Sequence, residues 1–277
     1  MTDAPPMKMG RHSAAWRRAI YRAFAGRYWP RRGTTAHGRF DVYVSAGAQI
    51  SVLSPRGVPV DPVHTRFIDR WVEPSSVVWD VGGNMGLFAF PAALKASAGE
   101  VYVFEPDVEL ANWLLRSSRL KINRRLPVTL MPFALSDQDN VASFLIAGHG
   151  TSMNKLEGCG PWHDDLFVTR EKRMVPTFRI DSIARRLKRP DIIKIDVEGA
   201  ELRVLEGGRE TIAAARPVML IEGPGELARG IGAFLRELDY VVFDGAVDGQ
   251  TPLNRIVWDT VAVPREKVPS GLEDACR

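Results

Sequence analysis

Four short segments of this 277-residue chain carry side chains whose types and spacing suit work on a small molecule. The first is Asp80-Val81-Gly82-Gly83-Asn84-Met85-Gly86, which closes the apolar run 77–81. Glycines after a buried strand let the backbone approach a ligand closely and turn tightly into a helix. Dinucleotide enzymes share such loops, but the spacing Gly82-x-Asn84-x-Gly86 differs from GxGxxG. Asp80, two residues ahead of the first glycine, would face a pyrophosphate unfavourably, whereas it favours a ligand that carries an ammonium and a sulfonium. The expected cofactor is therefore S-adenosylmethionine, held by Asp80, Gly82, Asn84 and Gly86.

The second segment is the run 101–104, which ends in Glu105-Pro106. An acid roughly 20 residues beyond a glycine loop can accept hydrogen bonds from both ribose hydroxyls of an adenosine moiety. Glu105 thus supports adenosine without choosing among adenosine cofactors. The third run, 128–131, leads into Pro132-Phe133-Ala134-Leu135-Ser136-Asp137, where the backbone of Ala134 and its apolar neighbours suit the edge and face of an adenine.

The fourth segment is Lys194-Ile195-Asp196-Val197-Glu198-Gly199-Ala200-Glu201. Charges inside an apolar strand are costly to bury unless they are paired or used. Lys194 and Asp196, two residues apart, share one face of a strand. Glu201 reads as an acid that stabilises a helix start, whereas Asp196 and Glu198 read as site residues. A fifth run, 218–221, ends in Glu222-Gly223, so a second carboxylate is expected to face Asp196 from the neighbouring strand.

The elements that must position these groups follow from the same pattern. Short apolar runs at 77–81, 101–104, 128–131, 192–195 and 218–221 alternate with helical stretches near 87–96, 107–122, 199–214 and 226–238. That alternation predicts an α/β fold with a doubly wound, mostly parallel sheet, whose ligands bind at the carboxyl ends of the strands. Late runs at 240–243 and 256–263, joined through Asp248-Gly249, predict an added antiparallel pair. Upstream, Phe40, Val42, Val44, Ile50 and Val52 alternate weakly and predict a small N-terminal β cap, and 64–72 predicts a helix that stops before Pro74. The resulting division is 1–38 as a basic extension, 39–76 as the cap, 77–264 as the main domain and 265–277 as a tail.

Composition bounds the rest. A hydrophobic content of 45% allows one substantial core, and the net charge of +4 hides an arginine-rich, acid-free stretch between Lys8 and Arg39. Trp16, Ile20, Phe24 and Tyr28 recur every four residues, so 13–28 predicts a basic amphipathic helix. It either rests on anionic lipid through residues 11–32 or docks its aromatic stripe on the main domain. Cys159 and Cys276 form no metal-binding pattern and, with no signal peptide or membrane-length apolar run in view, the expectation is a cytoplasmic protein, peripheral at the membrane if the helix binds lipid. The stretch 148–173, with His149, Trp162, His163, Asp164 and Asp165 among glycines, is either a lid over an acceptor or a variable surface loop.

With the segments Asp80 to Gly86, Phe104-Glu105-Pro106, Val175-Pro176 before Ile180-Asp181, Ile193 to Glu201 and Ile221-Glu222 in this order, the chain resembles the FkbM family of methyltransferases. The run from Lys194 to Glu201 is the most specific part, and Val261 to Pro264 is similar to that family's last strand. Gly83 stands where the family usually has alanine, Ala89 where a small hydroxyl residue is common, and Ser182 where a second acid often follows Asp181. The resemblance implies a Rossmann-like class I methyltransferase fold and methyl transfer to a hydroxyl of a sugar, a glycolipid or a polyketide-type product. In that chemistry Asp196 accepts or orients the acceptor hydroxyl, Glu198 or Glu222 assists, and Lys194 adjusts the local charge. A divalent metal held by Asp196 and Glu222 is a secondary reading, and no metal is expected. Two other functions compete: a nucleic-acid methyltransferase, suggested by the basic N-terminus but by nothing in the core, and a cofactor-binding protein without catalysis. No nucleic-acid partner is expected.

Overall fold

Side chains that alternate between apolar and polar make the first two elements a hairpin. The computed structural model describes residues 27–45, 54–55, 57–147, 153–159, 169–223, 225–247 and 251–269. In it β1 (Trp29–Thr35) pairs antiparallel with β2 (Gly38–Val44), and Phe40, Val42 and Val44 are buried against the main domain. The cap expected from residue 39 thus begins ten residues earlier, and its hairpin crosses position 38. Ile50 and Val52 lie outside the described residues, as do His149, Trp162, His163, Asp164, Asp165, the Asp248-Gly249 link and Cys276. The amphipathic helix at 13–28 also lies outside them, except for Arg27 and Tyr28. These two are not helical, and Tyr28 stacks on Trp113 with ring centroids 4.4 Å apart.

The helix α1 (Pro62–Trp71) starts where Pro62 presets the backbone and the Asp61 side chain accepts a hydrogen bond from the Val63 amide at 2.7 Å. It buries Phe67 and Ile68 and ends at Val72, before Pro74. The chain then alternates as the periodicity demands: β3 (Val77–Val81), α2 (Ala89–Lys95), β4 (Glu100–Phe104), α3 (Val108–Ser118) and β5 (Val128–Met131). A second set of strands follows: β6 (Ala134–Leu135), β7 (Asn140–Ala147), β8 (Lys155–Leu156) and β9 (Thr169–Phe178). The short α4 (Ile180–Ile183) leads to β10 (Ile192–Ile195), α5 (Glu201–Gly207), α6 (Arg209–Ala215), β11 (Val218–Glu222), α7 (Ala228–Glu237), β12 (Tyr240–Asp244) and β13 (Asp259–Pro264). The single helix expected at 199–214 is two helices, interrupted at Gly207-Gly208.

Seven strands form the main sheet in the order β12-β13-β11-β10-β3-β4-β5. Its central pairs are parallel, and β13 inserts antiparallel between β11 and β12. The order reverses between β3 and β10, the switch point at which open α/β sheets bind ligands. This is the Rossmann-like doubly wound arrangement that the sequence predicts, with one strand antiparallel. The strands are apolar on both faces because both are covered. Val78, Val101, Val103 and Leu220 pack with α1 and α2 on one side; Trp79, Phe104, Ile193, Ile195 and Ile221 pack with α5, α6 and α7 on the other.

The smaller sheet, ordered β6-β9-β7-β8, was not expected from the sequence. It is held over the main sheet by a buried polar joint. The Asp107 carboxylate, which caps α3 by accepting from the Glu109 amide, also receives Asn154 Nδ2 and Arg173 Nη1, all at 2.8 Å. Pro176 explains part of the oversight: a proline inside a run argues against an internal strand, yet β9 carries it between β6 and β7.

Candidate active site

A cleft of about 610 Å³, counting its open mouth, lies over the carboxyl ends of β3, β4 and β10 and under the smaller sheet. Gly82, Asn84, Glu105, Ala134, Asp196 and Glu198 all line it. Asp80, Gly86, Lys194 and Glu222 do not, and their places explain how the lining is held.

On one side the glycine loop is shaped by close approach. Gly82 has φ +84°, and a Cβ there would stand 1.8 Å from the Asp196 carbonyl oxygen, so only glycine lets the β3 and β10 ends meet. Asn84 is left-handed at φ +48° and donates its amide to Glu105 Oε2 at 2.7 Å. Glu105 Oε1 accepts from the Asp107 amide at 2.8 Å. Each carboxylate oxygen keeps a further lone pair for a ribose hydroxyl. Burial drives the Glu105 pKa up to about 8, against the pull of the Asp107 and Asn84 amides. Leu110, Phe144, Leu156, Ala134 and Leu135 add an apolar wall suited to an adenine face. Asn84 Oδ1 is buried with no hydrogen-bond partner among the described residues. A polar atom of this kind on a cleft-lining residue fits a site that a polar ligand completes.

Beneath the loop, Lys194 ties the two sides together. It neighbours Asp80 in the register of β10 with β3. Its Nζ lies 3.5 Å from Asp80 Oδ1, 3.3 Å from Asp196 Oδ2 and 3.2 Å from the Gly82 carbonyl oxygen. Burial alone would lower the Lys194 pKa, but Asp196, Asp80 and Glu222 outweigh it and hold the ammonium well above its usual range. Burial pushes the Asp80 carboxyl upward against the attraction of Lys194 and His64. Asp80 is fully buried and faces Lys194 below the loop rather than the open cleft.

The other side is built from the turn after β10 and from more distant segments. Glu198 is left-handed at φ +55°, a strained backbone of the kind found at functional sites. Burial, with Asp196 and Glu201 nearby, raises its pKa to about 8. Glu201 Oε1 accepts from the Gly199 amide at 2.9 Å and the Val197 amide at 3.3 Å, so it fixes this turn, as a capping acid does. Glu222, one position beyond the Ile195–Ile221 register pair, stands at the strand end beside Asp196. It binds His64 Nε2 at 2.7 Å, and His64 packs edge-on against Phe88. Burial works to raise the Glu222 pKa, but the His64 bond and Lys194 carry it below the usual carboxylate range. Among the described residues no group of three or more His, Cys, Asp or Glu side chains is placed to hold a metal ion.

The Methyltransferase FkbM domain matches residues 80–242, more than half of the chain and all the residues just described except His64. The chain belongs to the FkbM methyltransferase family. It is 31% identical over 149 residues to the hexuronic acid methyltransferase AglP of Haloferax volcanii, an alignment covering 51% of this chain and 54% of that protein. The chain thus spans about half the length of the curated relative it matches. Among solved structures it is similar to methyltransferase FkbM from Methylobacillus flagellatus, with 20% identity and a TM-score of 0.46 over 69% of this chain and 43% of that one. It is also similar to a SAM-dependent O-methyltransferase from Thermotoga maritima, with 13% identity and a TM-score of 0.42 over 84% and 77% of the two chains.

Two departures from the FkbM pattern have local reasons. At Gly83 a Cβ would stand 2.0 Å from Val103 Cγ1, so the glycine matches the bulk of Val103 on β4. Ser182, in place of a second acid, bonds Asp139 at 2.6 Å, while buried Asp181 accepts the Thr211 amide at 2.8 Å and holds the start of α6. The acid at 181 is therefore structural. Sequence reasoning missed His64, Phe144, Asn154 and Leu156. Only the apolar alternation of Ala142, Phe144 and Ile146 was a usable signal for the strand that brings Phe144 in.

Proposed function

We propose that this FkbM-family chain transfers the methyl group of S-adenosylmethionine to a hydroxyl of a sugar, a glycolipid or a polyketide-type product. The observation that carries this reading is the shared cleft: Glu105 and the glycine loop line one side, and Asp196 and Glu198 line the other. Bound there, S-adenosylmethionine supplies a sulfonium-activated methyl carbon. Glu105 holds the adenosine ribose beside the closely approaching glycine loop, and Asp196, with its side chain 37% exposed, orients the acceptor hydroxyl. Lys194 fixes the Asp196 carboxylate from below. Glu198 or Glu222 assists in moving the hydroxyl proton, since an acid at a strand end can take it as the new C–O bond forms. The match to a hexuronic acid methyltransferase supports a sugar among the acceptor classes.

The test is transfer of isotope-labelled methyl from S-adenosylmethionine into extracts lacking the gene, with products read by mass spectrometry. Labelled O-methyl sugars or glycolipids are expected, and turnover is expected to persist in chelator. Tight cofactor binding with no methyl moved to any acceptor, or label found on nitrogen, would overturn the reading.

A further inference from the structure

Trp258 is 60% exposed, and it is the only aromatic among the large hydrophobic side chains that the described residues leave in solvent. Its backbone is nevertheless fixed on both sides. The Trp258 carbonyl accepts the Gly223 amide at 2.9 Å, while the Thr260 hydroxyl receives the Val257 amide at 3.0 Å and donates to the Val257 carbonyl at 2.7 Å. Thr260 is fully buried, so this turn presents the indole from a rigid base.

The ring's position is informative. It lies over Gly223, where a Cβ would stand 3.7 Å from Trp258 Cζ2, and Gly223 directly follows Glu222. Glu222 pairs with Asp259 across β11 and β13 and stands beside Asp196 across β10 and β11. Trp258 is thus two strand spacings, about 10 Å, from the end of β10. Trp258 therefore stands at the carboxyl edge of the sheet, beyond Asp196 and on the side away from Glu105, outside the residues that line the cleft. The groups around it are acidic: burial, then Glu222, Asp61 and Asp244, raise the Asp259 pKa to about 6. Arg66, the nearby cation on α1, is engaged by the Gly245 and Ala246 carbonyls.

We infer that Trp258 is the platform on which the acceptor's ring stacks, and that this ring is an uncharged pyranose with a hydroxyl bonded to Glu222. A pyranose presents an apolar C–H face to an aromatic ring and hydroxyls at its rim, which suits an exposed indole bordered by carboxylates. An acceptor carrying its own carboxylate would meet like charge from Glu222 and Asp259. His64, bonded to Glu222, is the positioning residue that aims that carboxylate. The inference rests on the proposed reading of a sugar acceptor.

The test uses the full chain loaded with S-adenosylhomocysteine and two probes, methyl β-D-glucopyranoside and methyl β-D-glucuronoside, titrated by saturation-transfer NMR. The expected result is binding of the neutral glycoside to the wild-type chain, about tenfold weaker in Trp258→Ala and restored in Trp258→Phe. S-adenosylhomocysteine affinity by calorimetry should stay within twofold, which also shows that the variants fold. The glucuronoside is expected to bind more weakly than the neutral probe. Neutral-probe binding that survives Trp258→Ala, or preference for the glucuronoside, overturns this inference alone. Failure of both probes to bind a wild-type chain that binds the cofactor product overturns it together with the sugar reading beneath it.

Discussion

The two sides of the cleft are built on opposite plans. The side proposed for the donor is contiguous: Asp80 to Gly86 and Glu105 lie within 26 residues and meet through backbone contacts, the Asn84 and Asp107 amides on one carboxylate. The side proposed for the acceptor is assembled from four separated places, His64 on α1, Asp196 after β10, Glu222 on β11 and Trp258 before β13, brought together by the pairing of β10, β11 and β13 and by the His64–Glu222 bond. A ligand with one fixed shape can be met by a local motif. A ligand that differs among relatives is met by residues that can change independently. Lys194 is the hinge between the two plans, because its ammonium touches Asp80 on one side and Asp196 on the other.

Removing that hinge should have the largest effect. Lys194→Met leaves Asp80 buried without its counter-charge, and loss of one partner of a buried pair costs about 3–5 kcal/mol. The expected outcome is a lower denaturant midpoint with an unchanged slope, partly restored in the double variant Asp80→Asn, Lys194→Met. A midpoint unchanged by Lys194→Met would mean that the two sides are not coupled through it.

Next in size is the acceptor side. Asp196→Asn keeps the volume and loses the charge, and turnover should fall about 100-fold or more, with S-adenosylmethionine affinity nearly unchanged. Equal loss of turnover and cofactor affinity would merge the two sides into one. An unaffected turnover would remove Asp196 from the chemistry.

This division also explains what could be read in advance. The strands at 77–81 and 192–195 were legible because burial on both faces leaves apolar runs broken only by Asp80 and Lys194. Glu201 was legible as a capping acid because that role is local. His64 was not, because its role depends on Glu222, 158 residues away. The smaller sheet was hidden by a two-residue β6 and β8 and by Pro176 within β9. The burial of Asp80 beside Lys194 was not legible, because it depends on the pairing of β3 with β10, more than 100 residues apart.

The donor side predicts a pH signature of intermediate size. Glu105 without ligand holds its proton up to about pH 8, because burial penalises its charge. Ribose hydroxyls donate best to the ionised form, so cofactor binding must release that proton. S-adenosylmethionine affinity should therefore rise with pH below about 8 and level off above it. Glu105→Gln should abolish that slope and weaken binding about 10- to 100-fold, the range for hydrogen bonds to a charged group. Calorimetry in buffers of different ionisation enthalpy would detect the proton, and a wild-type affinity that is flat with pH would assign the ribose contact elsewhere.

The smallest expected effect tests how tightly the donor side is packed. Gly83→Ala places a methyl 2.0 Å from Val103 Cγ1, and overpacking of this kind costs about 1–3 kcal/mol. Because the clash is with one side chain and not with backbone, Val103→Ala should remove most of the penalty, giving a coupling energy of similar size in a double-mutant cycle. The same substitution should weaken S-adenosylmethionine binding only slightly, since Gly83 lies behind the residues that line the cleft. A penalty that persists without the Val103 methyl groups would mean that the loop backbone, rather than its packing on β4, sets the requirement for glycine at this position.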